Sequence, residues 1–76
     1  IIHRKFCQFM DECSSVLMSF RQQQMDLIRE IDKLDTNYII DNDKEELRSI
    51  ALEIGNGFET SMRNFKKMYE LKTGGI

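Results

Sequence analysis

The sequence predicts an all-α protein, an antiparallel helical hairpin of two long helices. The 76 residues include no proline and only four glycines, and apolar residues recur every three or four positions through two long stretches. A sandwich or barrel of short strands would need many more turn residues. The apolar fraction of 41% is too high, and the net charge of -2 too small, for a disordered chain. We therefore expect residues 1–76 to form a single helical domain. Because residue 1 is Ile, we also expect this domain to be an excised or processed fragment.

The first predicted helix covers residues 2–35, which neither glycine nor proline interrupts. Apolar side chains recur here at the two inward positions of a seven-residue repeat. One series is Phe6, Cys13, Phe20, Leu27 and Leu34, and the other is Met10, Leu17, Gln24, Ile31 and Tyr38. Ile2, Phe9 and Val16 widen the stripe, which favours packing against more than one neighbour, as in a bundle.

The connection between the helices is predicted over residues 36–43. Two capping boxes are available for the second helix, Asn42 with Glu45 and Asp43 with Glu46. These carboxylates are explained by capping, and no metal site is predicted among them.

The second predicted helix covers residues 42–71. Its apolar pattern keeps one phase through residues 55–57, although Gly55 and Gly57 each weaken a helix by up to ~1 kcal/mol. One continuous helix is therefore favoured over a break at 55–57, which would give a three-helix bundle. Gly74 and Gly75 are expected to end the helix. Its inward series are Leu47, Ile54, Ser61 and Met68, and Ala51, Phe58, Phe65 and Lys72.

The shortness of the chain predicts association. Chains below ~80 residues seldom stabilise themselves with one core, and two helices cover only one face of each other. We expect a four-helix bundle or coiled coil, formed with another protein as a hetero-complex or with a second copy as a homodimer. A polar residue in the series, Gln24, either sets register through a buried amide or is solvated. The residues expected to face a partner are Phe9, Val16, Met18, Gln24, Met25, Met62 and Tyr69.

An antiparallel hairpin would also separate charge into two poles. The basic pole holds six basic residues against Glu70, namely Arg4, Lys5, Arg63, Lys66, Lys67 and Lys72. At the turn, residues 30–46 hold seven acidic residues against two lysines, and the acidic set includes Asp32, Asp35, Asp41 and Asp43. Since Arg4, Lys5, Asp32 and Asp35 oppose the dipole of the first helix, the hypothesis is an antiparallel dimer or end-to-end contact that pairs opposite poles. The alternative is that both poles are solvated.

The sequence predicts a non-catalytic protein. Its single histidine, His3, could pair with Cys7 one turn later, but no third group or known catalytic motif accompanies them. No cofactor is expected, and the pI of about 5.3 argues against nucleic-acid or membrane-surface partners. Two cysteines fit free thiols in a reducing compartment such as the cytoplasm.

The function predicted is that of a protein–protein interaction module, a hairpin that oligomerises or docks onto helices of a larger assembly. The alternatives are a small secretion-associated adaptor or chaperone, and an inhibitor or regulator that binds through one helix face. The sequence does not separate the three.

Overall fold

The computed structural model describes residues 2–74 and contains two helices. Helix α1 spans Ile2–Lys33 and helix α2 spans Asp41–Thr73, which confirms the all-α hairpin and places each helix end within two residues of its predicted position. The chain measures 56 × 18 × 10 Å, so the hairpin is a single layer, two helices wide. Within residues 2–74, neither helix combines the length and apolarity needed to cross a membrane.

Helix α2 continues through both of its glycines, so the three-helix alternative is wrong. Gly55 is buried against α1, and a Cβ there would lie 2.9 Å from the amide nitrogen of Gln24 and closer still to the Arg21 guanidinium. Gly57 faces open space. Of these two glycines, only Gly55 therefore leaves space that another chain segment uses, and that segment is the ends of the Arg21 and Gln24 side chains.

The N-terminal end of α2 is not capped as predicted, whereas its C-terminal end is. Both predicted capping boxes are wrong, because Ile40 is the N-cap and no side chain caps this helix. Asp41 and Asp43 still lie in the first turn, where they favour the helix dipole. At the other end, Gly74 is left-handed, with φ of 71°, and donates its N–H to the carbonyl of Glu70. The predicted Gly75 lies outside the described residues.

The turn is organised around the buried side chain of Lys44. Its Nζ donates to the carbonyl oxygens of Asp32, at 3.5 Å, and of Leu34, and lies 3.8 Å from the Asp41 carboxylate. Arg48 pairs with the side chain of Asp32. These cations lie at the C-terminal end of α1, where positive charge is favourable. The acidic end of α1 is therefore compensated within the chain.

The packed face of α1 follows the predicted series of Gln24 as far as Ile31, whereas the series of Phe6 leaves this face after Phe20. The predicted Ile31 is buried, but the predicted Leu27 and Leu34 are exposed, and Ile28, which belongs to neither series, is buried in their place. The physical reason is that a straight helix has 3.6 residues per turn, so a seven-residue series drifts by ~20° per repeat.

The packed face of α2 is not the predicted one. Leu47, Ile54 and Met68 were expected inside, yet all are exposed. The set that lies toward α1 shares only Ala51 with the two predicted series, and its other members are Lys44, Arg48, Gly55, Glu59, Met62 and Tyr69. At about 100° per residue, the centre of this set is turned roughly 90° around the helix from the apolar stripe. The small residues Ala51 and Gly55 allow α1 to approach here, with long side chains reaching over them.

Candidate protein-interaction face

A polar cluster fixes the pairing of the helices at mid-length. Gln24 is buried, and its Nε2 donates to the carbonyl of Ala51 at 2.7 Å, while its Oε1 accepts from Arg21 at 3.1 Å. Arg21 also donates to Glu59 at 2.9 Å and to Asn56 at 3.3 Å. Of the two interpretations of Gln24, solvation is wrong, because the amide is enclosed and bonded inside the hairpin. Its position favours a role in register.

Aromatic side chains join the helices at the open end of the hairpin. Phe6 stacks on Tyr69 with ring centroids 3.7 Å apart and planes 4° apart, and it also contacts Phe65. Phe9 meets Phe65 edge to face at 5.3 Å. Phe9 and Phe65 both remain about half exposed. The aromatic cluster therefore extends from between the helices onto one broad side of the layer.

That broad side, here named the apolar face, carries two rows of exposed apolar side chains. Helical spacing places each row on one stripe, and the contact between Phe9 and Phe65 places both stripes on the same side. A groove of about 330 Å³ runs between the rows beside Phe9, Phe58 and Phe65. The α1 row is Ile2, Phe9, Val16 and Leu27. The α2 row is Leu47, Ile50, Ile54, Phe58, Phe65 and Met68.

The opposite side, here named the polar face, has a different composition. Asp11, Ser14, Glu59, Arg63 and Lys66 line a shallow depression between the helices there. Exposed apolar residues on this side are isolated: by helical spacing, Leu52 lies with Glu59, and Met18 with Asp11. The hairpin is therefore amphipathic as a whole, across the thin dimension of the layer.

The seven residues predicted to face a partner do not form one surface. Phe9 and Val16 lie on the apolar face, whereas Met18 and Met25 lie on the polar side of α1. Gln24 is buried, and Met62 and Tyr69 are half-buried between the helices.

Sequence reasoning missed most of the apolar face because it assigned the α2 row to the chain's own core. The available signal was the pair of small residues, Ala51 and Gly55, one turn apart beside the stripe. Small residues at this spacing mark a close helix contact, which leaves the neighbouring stripe of large residues without one.

The two charged poles lie at opposite ends of the layer. Contacts of Phe6 with Phe65 and Tyr69 bring the predicted basic pole together, with Arg4 and Lys5 on α1 and Arg63, Lys66, Lys67 and Lys72 on α2. Asp32, Asp35, Asp41 and Asp43 lie around the turn. By sequence, residues 1–9 and 62–76 together carry a net charge of +5, and residues 30–46 carry -5. Long-range attraction between chains is therefore strongest when their long axes are opposed.

The structure also places the His3–Cys7 pair predicted as geometrically possible. The Cys7 sulfur lies 3.6 Å from His3 Nε2 on the exposed surface of α1. Within residues 2–74, no three His, Cys, Asp or Glu side chains gather closely enough to hold a metal ion.

Comparison with protein-family models, with curated proteins and with solved structures finds no match to this chain. Its function is therefore inferred from the geometry and chemistry of its own residues.

Proposed function

We propose that the chain is a non-catalytic protein–protein interaction module that binds helices through its apolar face. The supporting observation is the length and continuity of that face, on which ten large apolar side chains stand between 38% and 60% exposed. Contiguous apolar patches larger than a few hundred Å² are rare on monomers and mark interaction sites. Two parallel rows with a groove between them match the way amphipathic helices pack in bundles.

The internal contacts of the hairpin support the same proposal. The polar cluster around Gln24 holds the helices in one register, so the two rows keep a fixed relation to each other. A face that is ordered before binding loses less conformational entropy when a partner docks. Arg21, Gln24 and Glu59 thus support the face without belonging to it.

A role as an adaptor or chaperone that shields a partner's amphipathic helix is the second candidate. The groove beside Phe9, Phe58 and Phe65 favours it, because a single row of apolar side chains from another helix would fit between the two rows. Cys7 and Cys13 are both free thiols, which fits a reducing compartment such as the cytoplasm.

The test compares two matched substitutions, Ile54→Glu on the apolar face and Leu52→Glu on the polar side of the same helix. Ile54 and Leu52 are both exposed in the hairpin, so neither substitution should unfold it. The molar mass of the purified chain is measured by light scattering, and proteins captured by the tagged chain from its native cells are identified by mass spectrometry. We expect Ile54→Glu to lower the mass or to release captured proteins, and Leu52→Glu to behave as the parent. Equal behaviour of all three proteins in both measurements would contradict the proposal.

A further inference from the structure

We propose that the occupant of the apolar face is a second copy of this chain, stacked face to face with its long axis reversed. The acidic turn of each copy then lies over the basic open end of the other, and four helices form an antiparallel bundle. This inference rests on the proposed function, and it adds the identity and the orientation of the partner. Surface area, residue spacing and charge carry it independently.

The hairpin exposes more surface in total than a folded monomer of its mass is expected to expose. The chain exposes 6148 Å². A folded monomer of its 9.0 kDa mass is expected to expose about 4,900 Å². The excess of roughly 1,200 Å² exceeds the ~800 Å² that each partner contributes to a standard interface. A partner that covered one 56 × 18 Å face would account for this excess.

The spacing of the apolar residues toward the two ends of the face is the same when it is read from either end. Along α2, intervals of four, three and four residues lead from Asp43 to Ile54, and the same intervals lead back from Lys72 to Ser61. This row is centred between positions 57 and 58. Along α1, Phe9 and Leu27 are equally distant from position 18, and so are Val16 and Phe20.

The two centres also lie at the same height of the hairpin. The hydrogen bonds from Gln24 to Ala51 and from Arg21 to Asn56 set the alignment of α1 with α2, and this alignment brings position 18 opposite positions 57–59. One two-fold axis across the layer at this height therefore exchanges the heights of Leu47 and Met68, of Ile50 and Phe65, and of Phe9 and Leu27, and it brings Ile54 to the height of Ser61. A C2 interface requires such a self-complementary surface.

Two face-to-face dimers are possible, one with the long axes of the copies reversed and one with like ends together, and charge favours the first. At the open end, exposed Lys72 follows Met68 by one turn, and Lys5 precedes Phe9 by one turn. At the turn end, exposed Asp43 precedes Leu47 by one turn, and exposed Glu30 follows Leu27 by three residues. In the reversed stack, Lys72 faces Asp43 of the second copy and Lys5 faces its Glu30. A two-fold axis along the hairpin would instead place Lys5 over Lys72, with like charges opposed.

Engineered disulfides test the orientation. In a chain with C7S and C13S, L47C and M68C are introduced together. The two new thiols lie ~31 Å apart along one helix, so they cannot bridge within a chain. The reversed stack sets position 47 over position 68 of the other copy. We expect oxidation to give a covalent dimer whose bridge, mapped by peptide mass spectrometry, joins positions 47 and 68.

A second mixture detects the other orientation. Chains with F9C alone are mixed with chains carrying M68C alone, since a stack with like poles together would set position 9 over position 68. Bridging in this mixture, without 47–68 bridging in the first, would overturn the inference and leave the proposed function standing. A purified chain that is monomeric at every concentration reached would also overturn it, and the Ile54→Glu capture measurement would then decide the proposed function separately.

A charge exchange tests the electrostatic step. D43K and K72D are each expected to weaken the dimer about tenfold, because each reversal creates two repulsive contacts per dimer. The protein with both changes should recover the parent dissociation constant, measured by sedimentation at one salt concentration. A double variant weaker than either single one would overturn the proposed pairing of Asp43 with Lys72. Circular dichroism of each variant checks that the helices are retained.

Discussion

The two halves of the hairpin are held together by different kinds of contact. From the turn to mid-length, buried polar and apolar side chains alternate between the helices, with Lys44 and Gln24 beside Ile28 and Ile31. Toward the open end, aromatic rings replace them, with Phe6 stacked on Tyr69. The turn half is thus joined by directional hydrogen bonds together with two buried isoleucines, and the open half by aromatic contact.

The two kinds of contact have different roles: hydrogen bonds determine the register in which the helices pair, and aromatic contacts stabilise the pair without fixing the register. A hydrogen bond such as that from Gln24 to the Ala51 carbonyl is satisfied in one register only, since a shifted helix would leave a buried amide without its partner. Stacked rings tolerate small displacements and continue onto the apolar face through Phe9 and Phe65. The turn half therefore determines how the helices pair, and the open half offers the surface on which a partner would add.

Removal of the charge of Lys44 should change the free energy of unfolding more than any other substitution considered for the two halves. Lys44→Met keeps an unbranched stem but removes the donor to the Asp32 and Leu34 carbonyls. Hydrogen bonds from a charged group are worth about 1.5–3 kcal/mol, so we expect a loss of about 2 kcal/mol in the free energy of unfolding. Urea unfolding followed by circular dichroism at one protein concentration measures it.

The matched control for Lys44 is Lys67→Met on the exposed surface of α2. A change there should stay within about 0.5 kcal/mol. Equal effects of the two substitutions would mean that the buried ammonium does not hold the turn, and the contrast between the two halves would fail.

The sequence predicts the elements of this fold better than their contacts. Helix bounds, continuity through Gly57 and the terminal Gly74 follow from local rules, because propensity and capping act within a few residues. The face of α2 that meets α1 does not follow, since its large apolar stripe can be covered by α1 or by another chain. Periodicity measures the apolarity of a stripe and carries no information about its partner. Buried polar residues such as Lys44 and Gln24 are equally hard to foresee, because their burial depends on acceptors supplied by the fold.

The two helical glycines provide a test of intermediate size at mid-length. Gly57→Ala should stabilise the hairpin by about 1 kcal/mol, because alanine favours the helix and its Cβ meets open space. Gly55→Ala has the same intrinsic gain but displaces the Arg21 guanidinium and the Gln24 amide. Loss of their hydrogen bonds, each worth about 1 kcal/mol, should make the net change a destabilisation of about 1 kcal/mol. Thermal or urea unfolding of both variants gives the difference.

A double-mutant cycle shows whether the Gly55 effect acts through Arg21. In an Arg21→Ala chain the guanidinium that a Cβ would meet is absent, so Gly55→Ala should cost less than it does in the parent. An unchanged cost would show that the polar cluster does not account for the glycine.

The smallest effect is expected at Tyr69 in the open half. Its ring stacks on Phe6, but its hydroxyl oxygen is buried and has no hydrogen-bond partner within residues 2–74. Tyr69→Phe keeps the stack and removes a polar group whose burial is uncompensated, so stability should rise by up to about 1 kcal/mol. Tyr38→Phe, at an exposed tyrosine in the turn, should leave the unfolding midpoint unchanged. If Tyr69→Phe were destabilising, the hydroxyl would have to form a compensating hydrogen bond, and the open half would then be specified by polar contacts as the turn half is.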